Sequence, residues 1–311
     1  MTPLEMRWVP TGSYDLNATV GILRRGPADP CSIFHDGAWW FAFHTPDGAA
    51  SLRLQQLPDG VNLLGFGPGA ERAFASAPAL LGADDDWTEF DSRSFQASLP
   101  EHVQTARRRH PGLRLPRTGR VIDSLVPAIL EQKVTGKEAF AGYRRLIFRY
   151  GSVPPGAGSA GFPARLRLAP SPAEWASIPS WEWHRAGVGP QRSDTVMRAL
   201  KRAAGLERLG SADASTAATG LMSIPGIGPW TAAEVTQCSH GDPDSVAVGD
   251  YHLAGFVGLA LTGQPVDDNT MMELLEPWRG HRQRVVRMLY LSGISKERHG
   301  PRMSVRDYRD I

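Results

Sequence analysis

The spacing of apolar residues changes once along this chain. Up to about residue 91 they fall in short runs, at 19–23, 38–44, 51–57 and 61–66. His35-Asp36-Gly37, Pro46-Asp47-Gly48 and Pro58-Asp59-Gly60 separate the runs. Asp-Gly supplies the positive φ angles of tight hairpins, so the runs read as antiparallel strands. A helix is expected near 70–81, and Trp39-Trp40-Phe41 reads as sheet core. After Asp84-Asp85-Asp86 the spacing becomes helical. Residues 94–109 read as one helix and Arg114 to Arg120 as a basic connector. Val121, Leu125, Ile129 and Leu130 mark the buried face of a helix that leads into Glu131-Gln132-Lys133-Val134-Thr135 and a second helix ending near Tyr150. The fold class is therefore α+β: an N-terminal antiparallel β-sheet domain with one or two helices (1–91), then an all-α region (92–293), then a charged tail (294–311).

Within the helical region, 151–170 is rich in Gly, Pro and Ala and reads as a mobile loop. Ser171-Pro172-Ala173-Glu174 is a capping box with Pro in the first turn. A helix is expected over 193–204. Asp213 caps the next one. Pro225-Gly226-Ile227-Gly228 breaks it, and Pro229 opens another that stops near Gly241-Asp242-Pro243. The result is helix, hairpin, helix. Glycines let a backbone approach a ligand closely, and free N–H groups at a helix start form an anion site. A DNA phosphate fits such a site, and so does an ordinary helical corner. Further on, Asp250 follows Val246-Ala247-Val248 and precedes a helix whose apolar face is Leu253, Phe256, Val257 and Ala260. It is placed to cap that helix. Gly263-Gln264-Pro265 ends it, Asp268 or Asn269 caps a further helix, and 276–282 opens the last.

Taken together, Ile224-Pro225-Gly226-Ile227-Gly228-Pro229-Trp230-Thr231-Ala232, then Gly241-Asp242-Pro243-Asp244, then Asp250-Tyr251 before a helix resemble the helix-hairpin-helix DNA glycosylase superfamily. Bacterial 3-methyladenine DNA glycosylase II is the most similar branch. The resemblance implies two helical subdomains flanking a cleft, with Asp250 catalytic. It implies a base pocket with Trp230, Tyr251 and Trp278, the last from Pro277-Trp278-Arg279. It implies DNA contacts from the hairpin at Ser223, Gly226, Ile227, Gly228 and Thr231. Ala128-Ile129-Leu130-Glu131-Gln132-Lys133-Val134-Thr135 resembles the junction that fills the gap left by a flipped base, at Gln132 and Lys133. Lys133 departs from the bulky apolar residue common there. Sodium or potassium on the carbonyls of Met222, Ile224 and Ile227 is also implied, with no cofactor for the chemistry. Relatives that cleave the strand carry a Lys where this chain has Trp230, so no amine can form a Schiff base there. The N-terminal domain is implied to have no catalytic role.

Composition changes this picture little. Of the 311 residues, 41 % are hydrophobic and 21 % charged, as in globular proteins. No ~18-residue apolar run spans a membrane, and no secretion signal is apparent. The two cysteines, Cys31 and Cys238, suit a reducing cytoplasm and exclude a four-cysteine iron–sulfur cluster. No His/Cys spacing suggests zinc. Charge is asymmetric. Residues 1–91 hold 5 Lys/Arg against 12 Asp/Glu, and residues 107–149 hold 11 against 3. The basic stretch reads as a phosphate-binding face or a solvated helical surface. The expected protein is a monomeric, cytoplasmic, nucleoid-associated bacterial enzyme that excises alkylated purines from double-stranded DNA. A glycosylase for another damaged base, or a catalytically silent DNA-binding protein, remains the alternative.

Overall fold

Three Asp-Gly turns organise the first part of the chain. In the computed structural model, which describes residues 3–294, the strands are β1 (Leu4–Trp8), β2 (Ser32–His35), β3 (Ala38–Thr45), β4 (Gly48–Leu57) and β5 (Gly60–Phe66). They form one antiparallel sheet in the order β1-β5-β4-β3-β2. The turns at 36–37, 46–47 and 58–59 join neighbouring strands. Asp36 and Gly37 both take positive φ, 48° and 70°, as a two-residue hairpin requires.

The sheet is covered on both faces, which explains why Trp39 to Phe43 are all buried. One face packs Trp39, Phe41, Leu52, Leu54 and Leu63 against α1 (Leu16–Val20) and α2 (Ala70–Leu80). The other packs Trp40 and Phe66 against Leu166 and Leu168. The expected loop over 151–170 is therefore pinned to the back of the sheet, where Ser152 also bridges Leu168. The run at 19–23 is helical, not extended. Asp15 accepts from the Ala18 amide at 2.9 Å and starts α1, and Gly21–Leu23 continues as a 3₁₀ turn.

The helical region continues with α3 (Arg93–Ser98), α4 (Glu101–Arg109), α5 (Val121–Leu130), α6 (Gly136–Tyr150), α7 (Pro172–Ser177), α8 (Ser180–Arg185), α9 (Pro190–Leu200), α10 (Ala203–Leu209), α11 (Ala214–Met222), α12 (Pro229–Ser239), α13 (Leu253–Thr262), α14 (Asp268–Leu275) and α15 (Arg282–Leu291). The single helix expected over 94–109 is two, because Leu99-Pro100 takes extended angles between them. The one expected over 193–204 starts at Pro190 and stops at Leu200. Asp267, one residue before the expected cap, accepts from the Thr270 amide at 2.8 Å. The charged tail lies outside the described residues apart from Ile294.

Two cores build this region. One gathers α5 to α11, and α5 is buried at every position but Asp123. The other gathers α3, α4, α13, α14 and α15. Helix α12 belongs to both: Ala232 and Val235 face the first core, Ala233 and Trp230 the second. It forms the wall between them.

The acidic boundary is a structural tie. Asp85 and Arg284 form an ion pair with side chains only 3 % and 4 % exposed. Asp85 also accepts from the Leu115 amide at 2.6 Å and from the Trp87 indole at 2.5 Å. The Arg284 guanidinium lies 4.7 Å from the Trp87 ring centroid.

Candidate active site

The hairpin starts from helix α11, which Asp213 caps by accepting from the Thr216 amide at 2.8 Å. Ile224 and Ile227 are buried and anchor the turn to the first core. The Ile227 amide closes the turn onto the Ile224 carbonyl at 3.0 Å. Gly226 takes φ 98°, and a Cβ there would stand 2.5 Å from Thr195 Oγ1. No other residue fits that position. Gly228 is extended, and a Cβ there would meet nothing within 4 Å. The first amides of α12, with Pro229 at its head, have no helical partners, as at any helix start.

Two side chains brace the turn from behind. Gln132 Nε2 donates to the Gly226 carbonyl at 2.9 Å and to Thr231 Oγ1 at 2.8 Å. Arg198 Nε donates to the Pro225 carbonyl at 3.0 Å. Gln132 is thus committed to the hairpin, and the Ile227 and Thr231 side chains are buried. The exposed surface of the turn is backbone plus Ser223 and Pro225. The expected cation ligands are all carbonyl oxygens, the donor class that suits a hard monovalent ion. The turn hydrogen bonds leave the carbonyls of Met222 and Ile227 unengaged, while that of Ile224 holds the Ile227 amide. Among the described residues no group of three or more His, Cys, Asp or Glu side chains could hold a metal.

Because Gly228 has room for a Cβ, Gly228→Asp should fold normally. It should lower duplex affinity about equally for every sequence, since it places a carboxylate where the backbone amides converge. Fluorescence anisotropy on unrelated duplexes checks this, and unchanged affinity removes the hairpin from the DNA-binding surface.

Next to the hairpin, α5 ends and α6 begins with a capping box between Thr135 and Glu138. Between them Lys133 is exposed and takes φ 56°, uncommon for a residue with a Cβ. The left-handed turn lets this lysine project from the junction. The basic stretch around it is not one surface. Arg107 is bidentate to Asp91 at 2.7 Å, and Arg120 and Arg149 pair with Asp123 and Glu182. Arg145 donates to the Ala186 carbonyl. Lys133 and Lys137 remain exposed beside the hairpin.

Across from the junction, Gly249 turns with φ 94° and donates to Asp268 Oδ1 at 3.2 Å. Asp250 follows. Its Oδ1 accepts from the amides of His252 at 2.8 Å and Leu253 at 2.9 Å. One carboxylate oxygen thus caps the start of α13, and Oδ2 takes no part in the cap. Trp230 is half-buried beside this turn: a Cβ on Gly249 would lie 3.9 Å from Trp230 Cβ. Its indole nitrogen is buried without a partner.

The other two expected pocket residues differ sharply in exposure. Tyr251 is 86 % exposed, with its ring edge-on to His252. Trp278 is 7 % exposed inside the second core and donates to Ser98 Oγ at 3.2 Å. Tyr290 is a pocket candidate that sequence reasoning left open in the run 287–290. It is half exposed and stacks on Phe256 at 4.6 Å with planes 4° apart. Burial, then the charges of Asp250 and Glu234, push its hydroxyl up to about 12. Glu234, Glu131, Arg25 and Arg287 were also missed. Of these only Glu234 left a signal, at i+4 from Trp230 on one helix face.

A five-stranded sheet domain, two helical cores sharing α12, a glycine hairpin at the head of that helix and an Asp-capped turn beside it agree with what the resemblance to helix-hairpin-helix DNA glycosylases implies. The chain resembles that superfamily in sequence and in fold. It is 28 % identical over 230 residues to the probable bifunctional transcriptional activator/DNA repair enzyme AlkA of Mycobacterium tuberculosis, over 72 % of this chain and 44 % of that protein. The chain thus spans less than half the length of this relative. A 3-methyladenine DNA glycosylase from Archaeoglobus fulgidus shares its fold with a TM-score of 0.76 at 16 % identity, over 92 % of this chain and 98 % of that one. An 8-oxoguanine glycosylase/lyase of Clostridium acetobutylicum, solved with double-stranded DNA, follows at 0.67 and 12 % identity, over 92 % and 96 %. No protein-family model matches the chain. No helix among the described residues is long and apolar enough to cross a membrane.

Proposed function

We propose that this protein is a monofunctional DNA glycosylase that flips alkylated purines, of the 3-methyladenine and 7-methylguanine type, out of duplex DNA and hydrolyses their glycosidic bond. The observation that carries this reading is the divided Asp250 carboxylate. One oxygen is spent on the helix cap and the other is left over, beside a half-buried indole and a stacked Tyr290–Phe256 pair. The names of the relatives point the same way.

A base inside a duplex is out of reach, so the nucleotide must leave the stack. The hairpin amides would hold a phosphate while Lys133, at the junction, enters the gap. Its long stem fills space there while the ammonium meets a phosphate. When the C1′–N bond breaks, the base keeps the bonding electrons and the sugar becomes oxocarbenium-like. The Asp250 carboxylate stabilises that charge and accepts a proton from the water whose oxygen bonds to C1′. An N-alkylated purine is cationic, and the Trp230 indole face attracts it by ~0.5–2 kcal/mol. Trp230 cannot form a Schiff base, so the product is an abasic site on an intact strand. A sodium or potassium ion at the carbonyls of Met222, Ile224 and Ile227 would add positive charge facing the phosphate. We place the enzyme in the bacterial cytoplasm, on the nucleoid, as a monomer in base excision repair.

A panel of duplexes, each with one damaged base, tests this by mass spectrometry of the released base. Release of alkylated purines with the strand intact is the expected result. Release of 8-oxoguanine alone would transfer the site to the other lesion class, and release of nothing would leave a DNA-binding protein.

A further inference from the structure

No lysine occurs between Lys137 and Lys201, and six arginines of that stretch gather at one place. An open groove of about 400 Å³ lies between the far end of α6 and α8. Leu146, Phe148 and Ala186 line it together with Arg144, Arg145, Arg149 and Arg185. Arg165 and Arg167 reach it from the segment behind the sheet, their guanidinium groups 5.8 and 5.2 Å from the Phe148 ring centroid. Glu182 is the one acid in the lining. Its side chain is enclosed and paired with Arg149 at 2.7 Å and Arg185 at 2.9 Å. Six guanidinium groups against one carboxylate leave a large positive excess.

The arginines are held rather than neutralised. Arg145 donates to the Ala186 carbonyl at 3.1 Å, and Arg167 to the carbonyls of Ala164 and Leu166 at 2.9 and 2.8 Å. A guanidinium has more donors than such ties use. Fixed forks of this kind suit bidentate binding of an oxyanion, which a lysine ammonium does not provide.

Two exposed rings say which oxyanion. Phe148 is 37 % exposed and Trp181 is 65 % exposed. Trp181 precedes Arg185 by four residues, so both lie on the exposed face of α8. Arg145 and Arg149 are one helical turn apart, ~6 Å along α6, as adjacent phosphates of a strand can stand. Every base has a π-face that stacks on an aromatic ring or a guanidinium plane. The carboxylates of an acidic peptide would engage the arginines and leave the rings without a role. A duplex keeps its base faces covered, so the rings point to unpaired bases. The groove is also apart from the hairpin: Arg149 stands about 18 Å along α6 from Lys137.

We infer that the groove between α6 and α8 binds single-stranded nucleic acid, with the arginine forks on successive phosphates and the bases against Phe148 and Trp181. This goes beyond base excision at Asp250 and does not depend on it.

The test is fluorescence anisotropy with a labelled ~12-nucleotide oligothymidylate, within the range of strand lengths that one such site covers. Because the hairpin amides can also take a phosphate, it is run on the wild type and on the Gly228→Asp protein. Phe148→Ala should weaken strand binding at least ~5-fold in both backgrounds, the lower end of what one stacked base contributes. Its duplex affinity should not change. Arg144→Gln/Arg145→Gln should flatten the dependence of log affinity on log salt by about 1.4, from two phosphate contacts at ~0.7 each. Unchanged strand affinity in a folded Phe148→Ala protein overturns the inference, and so does an equal loss for strand and duplex. If that variant does not fold, an unmoved salt slope in the double variant overturns it instead. A peptide of glutamate and phenylalanine that binds the groove more tightly than the oligonucleotide makes the partner a protein, which overturns it as well.

Discussion

Asp250→Asn is expected to remain folded and to bind abasic DNA with near wild-type affinity, while base release from alkylated DNA falls at least ~10²-fold, the scale set by removing one electrostatic stabiliser. Capping and catalysis make opposite demands on this position. The amides of His252 and Leu253 need only one acceptor oxygen, at 2.8 and 2.9 Å. An Asn carbonyl supplies it, and Asn and Asp cap helices comparably. Charge stabilisation of the sugar needs the whole carboxylate, and Asn has none. Melting temperature, abasic-DNA affinity and single-turnover release on one preparation separate the two demands. Full activity in a folded Asp250→Asn protein would remove the catalytic assignment.

Arg284→Met should lower unfolding free energy by about 3–5 kcal/mol, the usual cost of stripping one partner from a buried ion pair. The reason is Asp85. It is almost fully enclosed and would keep only the Leu115 amide and the Trp87 indole as partners. One of the two guanidinium groups over the Trp87 ring is lost as well, while that of Arg107 stays at 3.9 Å. Adding Asp85→Asn should recover part of the loss, because the enclosed charge then disappears with its partner. Denaturant titration of the single and double variants measures both. A loss below ~1 kcal/mol in Arg284→Met would mean that the pair behaves like a solvent-exposed one.

Local chemistry was legible in the sequence and distant chemistry was not. Asp36-Gly37, Asp47-Gly48 and Asp59-Gly60 each close a hairpin, because backbone angles at a turn depend on the residues within it. Ser171 and Asp213 cap their helices for the same reason. Pro100 splits a helix whose apolar spacing runs on through it. The site was half legible. The hairpin, the junction and Asp250 carry their own spacing and do come together. Trp278 and Tyr251 show why the rest was not: an aromatic beside a motif can face the pocket, the core or water, and only packing decides. The ties from Arg25 to Glu131 and from Asp85 to Arg284 cross 106 and 199 residues. A contact of that separation leaves no periodicity to read.

Helix α12 is also a ruler. Its first amides would take the phosphate, and Trp230 stands within its first turn. Glu234 and Cys238 follow one and two turns later, at about 1.5 Å of rise per residue. The proposed grip and inspection would thus sit at fixed stations on one rod, clamped between two cores that both contribute to its packing. In the proposed reading, such a device would need no moving part to choose a nucleotide. With a phosphate on the hairpin, the distance along the helix would decide which base is offered to the indole, and every step along the duplex would present one new candidate at the same gauge.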